Sequence, residues 1–301
     1  MLEVFKIDNS SSGLRIDRWI KNNLTKIPQS LIEKDLRNGK IKVNKKKVKS
    51  SYKLKKLDII YLYNVSYKNL LPTKSTFVPK KKIITNTEKD IIEHNIDFMV
   101  INKKSGIPVQ GGTKVRENII NILTKSKYFE NSKPYIVHRI DKDTSGALLI
   151  AKNRQTAQQL TSLFRIRKIH KTYLALSFGG LDKLKDTIIN NLIRYEGKKK
   201  IMEKAITDYE QIDSNKKFTL FKLKPITGRK HQIRKHLMDL NCPIVGDKKY
   251  FFSKASKNKE LLLHAYQIKF ILNDKKYTFN ANLPEYFKNF LIKNNLKSKD
   301  F

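Results

Sequence analysis

The sequence predicts an α+β protein in two parts: a small, strongly basic α+β module in front, and a larger mixed domain built on a mainly antiparallel sheet. Three observations lead there. The 301 residues exceed what one compact core usually needs and suggest about two domains. The apolar period switches between helical and extended along the chain, with some strand pairs close enough in sequence to be hairpins. The net charge of +37, from 64 Lys and Arg against 27 Asp and Glu, is unevenly spread. Residues 1–90 hold 22 basic and 8 acidic side chains, a denser excess than in the rest. An apolar fraction of 39%, with 15 Phe and 13 Tyr, suffices for packed cores and excludes global disorder.

In the small module, Ile16, Trp19, Ile20 and Leu24 recur at helical spacing, with Arg15, Arg18 and Lys21 off the apolar stripe. A second helix begins near Pro28, turns Ile32 and Leu36 inward and stops at Gly39, with Arg37 in its last turn. Ile41, Val43 and Val48 read as extended, with a turn at Asn44-Lys45, and a last strand covers Asp58 to Leu62. Between Gly39 and Leu57 stand nine lysines, Lys45, Lys46 and Lys47 among them, and no acid. From Tyr63 the pattern weakens, and Pro72 and Pro79 among Lys, Ser and Thr suggest a linker over residues 64–90. The larger domain, residues 91–301, opens with Ile91-Ile92 and the strand Phe98–Asn102. Strands follow at about 147–152, 171–178, 205–212, 217–224 and 261–272, and helices at about 115–125, 153–167, 229–240 and 284–294. The short turn between 205–212 and 217–224 argues for antiparallel pairing.

Several function classes fall away. Cys242 is the single cysteine, which excludes an internal disulfide and a multi-thiolate zinc site, and suits a reducing compartment. Met1 to Gly13 shows no apolar core of a signal peptide, and the longest apolar runs, such as Ala147–Ala151, fall far short of the ~20 residues of a membrane span. So strong a positive field points to a polyanion, nucleic acid or an anionic surface.

Three segments could carry chemistry. His138-Arg139-Ile140-Asp141-Lys142-Asp143-Thr144-Ser145-Gly146 feeds the apolar run Ala147–Ala151. A carboxylate at Asp141, between Arg139 and Lys142, is placed to stay ionised on a loop fixed by a buried strand. Two acids two apart also suit a metal or an acid–base pair, but neighbouring loop acids are more often turn formers. Asp143-Thr-Ser-Gly mimics an aspartic-protease signature, yet that chemistry needs two such carboxylates and the chain has one copy. In the second segment, His170–Leu176, alternation puts Thr172, Leu174 and Leu176 on one face, with Tyr173 and Ala175 on the other. In the third, Thr227–Leu237, Ile233, Leu237 and Leu240 mark a buried helical stripe with Arg234 at its edge, where it either reaches a buried carboxylate or is one more surface cation on a basic helix. His231 and His236 are five apart rather than four, so no metal site is expected.

Taken together and in order, these segments resemble the RluA-type pseudouridine synthases. Asn102-Lys-Lys-Ser-Gly106, Gln110-Gly-Gly112, Pro243-Ile-Val-Gly-Asp247 and Leu263-His-Ala265 extend the likeness over nearly the whole chain. The front module, through Gly13–Trp19, Ser30–Gly39 and Ile41–Asn44, resembles an S4-type RNA-binding domain. Ile27–Ile32, Arg37–Lys46 and Gly111-Gly112 lean toward the RluC branch. Gln110 departs from the family where histidine is common, as does Lys230 where a small residue is common.

The resemblance implies isomerisation of uridine to pseudouridine in structured large-subunit ribosomal RNA, by base flipping, with no cofactor and no membrane partner. The expected setting is a monomeric, cytoplasmic enzyme. By the same carry-over, Asp141 is the catalytic aspartate, Arg139 fills the space left by the flipped uridine, and Tyr173 packs on the base and helps remove its C5 proton. Arg234 pairs with Asp141, and Leu261 or Leu263 walls the pocket. Arg15, Arg18, Arg37 and Lys45–Lys47 belong to the RNA-binding surface. The competing expectation is a non-catalytic RNA-binding or ribosome-assembly factor, driven by the basic module alone.

Overall fold

The computed structural model describes residues 2–8, 11–24, 28–63, 78–111, 117–130, 132–196, 199–251 and 260–297. Residues 64–77 of the expected linker, together with Ile27 and Gly112, lie outside the described residues. The chain divides into two compact units, Met1–Thr76 and Phe77–Phe301.

The first unit runs β1 (Leu2–Lys6), α1 (Ile16–Asn23), α2 (Gln29–Arg37), β2 (Ile41–Val43) and β3 (Ile59–Tyr63). Its antiparallel sheet has the order β1-β3-β2. Ile16, Trp19, Ile20, Ile32 and Leu36 are buried against Ile41, Val43, Ile60 and Leu62, the faces that the helical and strand periods foretell. Gly39 ends α2 at φ +73°, and Asn44 and Lys45 turn the chain at φ 48° and 63°, a left-handed pair suited to a tight hairpin. β1 is an addition: Leu2 and Val4 are exposed, so no buried alternation announces it.

The second unit runs α3 (Lys81–Lys89), β4 (Ile91–His94), β5 (Phe98–Lys103), α4 (Ile119–Leu123), β6 (Tyr135–Ile136), β7 (Ser145–Ala151), α5 (Arg154–Arg165) and β8 (His170–Phe178). It continues through β9 (Lys185–Glu196), β10 (Lys199–Ser214), β11 (Phe218–Pro225), α6 (Gln232–Asp239), β12 (Leu263–Leu272), β13 (Lys275–Asn280) and α7 (Glu285–Lys293). The ten described strands form one sheet along β4-β5-β7-β12-β8-β11-β10-β9, with β13 on β12 and β6 on β7. All pairings are antiparallel except β12 with β7.

Both faces of the sheet centre are covered, which is why β7 is apolar and buried throughout. Ala147, Leu149 and Ala151 enter one core, and Leu148 and Ile150 the opposite one. On β8, Leu174 and Leu176 pack into one cluster while Tyr173 and Ala175 face another, as the alternation requires.

Three sequence expectations need correction. Residues Lys81–Lys89, expected as linker, form α3, whose last turn is tied by the Glu88 carboxylate accepting from the Lys127 N–H. β9 is absent from the sequence expectation. It forms a long ribbon with β10 in which Ile189, Ile193 and Met202 stay exposed, so neither a helical nor a buried-strand period marks it. α6 starts at Gln232 rather than 229, because His231 takes a left-handed conformation at φ 54°. It ends before Leu240, which is 36% exposed rather than part of the stripe.

Candidate active site

Asp141 lies on the loop between β6 and β7, and that loop is fixed from several sides. The Asp141 carbonyl accepts from Thr144 N at 3.2 Å, closing a turn. Lys103, at the end of β5, is fully buried and donates from Nζ to the carbonyls of Lys104, Ile107 and Lys142 at 2.8, 2.9 and 3.0 Å. Burial pushes its pKa down to about 7, while three acceptors match the three protons of an ammonium and oppose that loss. Gly106 N donates to the Lys142 carbonyl and Ser105 Oγ to that of Asp143. At the loop's start, His138 stacks on Phe164 and its Nε2 accepts from Leu149 N on β7 at 2.9 Å. Burial, and then the Lys171 charge, lower the His138 pKa to about 3, so the ring is neutral with its proton on Nδ1.

The parallel β7–β12 contact sets the loop's exit. Gly146 sits at φ +110°, and a Cβ there would collide with the backbone of Ala265. The neighbouring pair, Ser145 and His264, joins through Oγ and Nδ1 at 2.9 Å, and His264 Nε2 faces the Ala281 carbonyl at 3.0 Å.

α6 brings the cations. Arg234 is 4% exposed and forks onto Asp247, Nε to Oδ2 and Nη2 to Oδ1, both at 2.7 Å. Asp247 also accepts from the N–H groups of Lys249 and Tyr250. Burial disfavours both charges, but their mutual hydrogen bonds prevail: the Asp247 carboxyl is held below its ordinary value and the Arg234 guanidinium above its own. One corner, Nη1, remains and points to Asp141 Oδ2 at 3.7 Å. His231 Nε2 stands 3.6 Å from Asp141 Oδ1, while its Nδ1 meets Tyr250 Oη at 2.7 Å. Burial lowers the His231 pKa, against the pull of Asp141 and together with the push of Arg234. A neutral ring fits this geometry, accepting from Tyr250 and turning its Nε2–H toward Asp141. Both approaches to Asp141 exceed hydrogen-bond length, so the carboxylate feels charge without being tied. It remains 27% exposed.

Two clefts meet at this group. One, of about 580 Å³, is lined by Arg139, Tyr173, Lys171, Arg229 and Leu263 among others. The other, of about 830 Å³, is lined by Lys104, Lys142, Lys248, Lys249 and Leu261. They share Asp141, His231 and Arg234. Burial, reinforced by the Asp141 charge, pushes the Tyr173 phenol far above its ordinary value. At neutral pH it is a protonated wall, suited to packing against a ring and poorly suited to taking a proton alone. Among the described residues no cluster of three or more His, Cys, Asp or Glu is arranged to hold a metal.

The structure thus brings Asp141, Arg139, Tyr173, Arg234, Leu261 and Leu263 to one place, with Leu263 lining one cleft and Leu261 the other. Arg234 faces Asp141 in an ion pair at 3.7 Å, but its stronger partner is Asp247, because a guanidinium has one bidentate edge of this kind and Asp247 takes it. In the other unit, Arg15, Arg18, Arg37, Lys45, Lys46 and Lys47 are all exposed, and Arg15 is also paired with Asp17 at 2.7 Å.

Known proteins carry the same pattern. The profile of the RNA pseudouridylate synthase family matches residues 97–239, and that of the S4 domain matches 14–60. Ribosomal large subunit pseudouridine synthase C of Buchnera aphidicola subsp. Schizaphis graminum is 33% identical over 96% of each chain. This chain belongs to the RNA pseudouridylate synthase family. The protein of the same description from Vibrio cholerae is 30% identical, across 97% of this chain and 96% of its own. The solved structure of human RNA pseudouridylate synthase domain containing 4 shares the fold, at 24% identity and a TM-score of 0.63, over 72% of this chain and 97% of that one.

The synthase therefore has the architecture its sequence resembles, an S4 domain ahead of the catalytic domain. Sequence reasoning passes over His231, considered only as a metal ligand, and over Asp247 and Tyr250. A signal exists for Asp247: an acid that follows Pro243-Ile-Val-Gly is placed to be buried, and a buried acid requires a cation.

Proposed function

We propose that this synthase isomerises uridines of large-subunit ribosomal RNA, with Asp141 as the catalytic carboxylate. The observation that carries the reading is the position of Asp141: partly exposed at the meeting of two cation-lined clefts, faced by the Arg234 guanidinium and the His231 ring, and free of any tight side-chain bond. The reaction breaks the N1–C1′ bond of uridine, joins C5 to C1′, releases the C5 proton and takes one up at N1, so it needs a carboxylate that stays anionic in a partly dry site. Arg234, oriented by its fork onto Asp247, turns Nη1 toward Asp141 Oδ2 at 3.7 Å.

Reaching the glycosidic bond within structured RNA requires the base to leave its stack, at a cost of a few kcal/mol. Arg139, exposed on the same loop, is positioned to occupy the vacated space. Tyr173 and Leu263 offer the apolar wall for the flipped ring, and Leu261 borders the second cleft. The S4 domain, with Arg18, Arg37 and Lys45–Lys47 exposed, suits the phosphates of folded RNA. The names of the curated relatives favour ribosomal RNA as the substrate, and with it a cytoplasmic site of action.

The test is tritium release from ribosomal RNA labelled at uracil C5. Wild type is expected to release tritium and Asp141→Asn to release none while still binding RNA. Equal release by both would overturn the assignment. Full complementation of ribosome assembly by Asp141→Asn would instead favour a non-catalytic factor.

A further inference from the structure

We infer that Lys171 is the seat of an RNA phosphate beside the target uridine, and so a positioning residue for the substrate strand. The inference rests on the reading that RNA lies in the cleft next to Asp141. Lys171 and Tyr173 share one face of β8 and both line that cleft, about 7 Å apart along the strand. Among the described residues Lys171 is the half-buried cation of this wall that has no ion-pair partner, whereas Arg139, Arg165 and Arg167, which line the same cleft, are exposed. Arg234 is bound to Asp247 and Arg229 to Glu203, at 2.7 and 3.1 Å. Among the described residues no acid and no hydrogen-bond acceptor is paired with Lys171, although it is half-buried. The His138 ring nearby is neutral and offers the ammonium no counter-charge, and Phe164 and Ile169 line the same cleft.

A cation drawn out of water without a partner weakens the fold. Burial correspondingly lowers the Lys171 pKa, with no opposing charge to restore it. Such a group makes physical sense where an anion arrives with the ligand, and the anion that RNA carries is its phosphodiester. Lysine serves phosphate as a point charge that tolerates several strand geometries. The two exposed arginines at the rim, Arg165 and Arg167, add to the same field.

The test compares Lys171→Met, which keeps the apolar stem and removes the charge, with Lys171→Arg and with Lys293→Met on α7 as a remote control. Equilibrium binding to a ribosomal RNA fragment is measured across salt in the Asp141→Asn background, and steady-state kinetics in the active enzyme. For Lys171→Met we expect binding about tenfold weaker, KM raised to match, kcat nearly unchanged, the slope of log K against log salt smaller by about one, and a melting temperature equal or higher. Lys171→Arg should recover most of the binding, and Lys293→Met should behave as wild type. A collapse of kcat with KM and salt slope unchanged would overturn the inference in favour of a role in the chemistry. A lower melting temperature with unchanged binding would overturn it in favour of a structural role. No change at all would mean a lysine whose head merely reaches solvent. Any of these, with Asp141-dependent tritium release intact, removes this inference alone. Absence of that release removes the functional reading and this inference with it.

Discussion

At the scale of single residues, Asp141 stays loosely held because its strongest neighbour is already engaged. Arg234 commits its bidentate edge to Asp247, and only Nη1 faces Asp141, at 3.7 Å. Asp247 is thus the support of the positive corner. Replacing it by Asn leaves the buried Arg234 without its bidentate anion, and such broken pairs cost about 3–5 kcal/mol. We predict a loss of stability of that order for Asp247→Asn in urea denaturation. We also predict a fall in kcat of about 100-fold, since Arg234 would turn onto Asp141 and displacements near 1 Å carry penalties of that size. Unchanged kcat in a folded variant would contradict this. Asp141, Tyr173 and Arg234 are legible in the sequence as candidates because each sits in a local motif. Asp247 and His231 were not: their meaning comes from partners 13 and 90 residues away in the chain, Arg234 and Asp141.

Among elements, the junction of β7 with β12 carries most of the positional burden. Their parallel contact is short, Ser145 beside His264 and Gly146 beside Ala265, and at the second pair only a residue without Cβ fits. Gly146→Ala is expected to destabilise by at least about 2 kcal/mol and to lower kcat, because it both strains φ and pushes the Asp141 loop off the sheet. Chemical denaturation with parallel kinetics would check it. The rings that fasten this region also make it acid-sensitive. Folded His138 and His264 take protons only near pH 3 and 4, against 6.5 when unfolded. The unfolded chain therefore binds protons first as pH falls, and stability declines below about pH 6.5 toward those values. Each ring contributes up to about 1.4 kcal/mol per pH unit in that window. The denaturation midpoint should drop over this range, and less steeply in His138→Gln; a flat profile in wild type would refute the assignment. The helices α1 and α2 and the strands β7, β8 and β11 were readable because one buried face imposes its period. β1 and β9 were not, since their exposed apolar residues give no contrast between faces.

For the whole molecule, +37 spread over two units describes a binder of polyanions, and its affinity must depend steeply on salt. Changing Lys45, Lys46 and Lys47 together to Gln, at an exposed turn of the S4 unit, should flatten the salt slope by about two to three. It should leave kcat at saturating RNA and the melting temperature near those of wild type. Filter binding across a salt series decides it, and an unchanged slope would place the RNA elsewhere. The sequence by itself determined the charge, the two-part organisation, most buried elements and the carboxylate, because composition, period and local motif are properties of neighbouring residues. Only the tertiary structure decided how that carboxylate is held. The fork of Arg234 onto Asp247, the left-handed His231, the three carbonyls on Lys103 and the unpaired Lys171 depend on how segments pack together at the ends of the central strands. No period or motif records such a meeting, since it follows from packing.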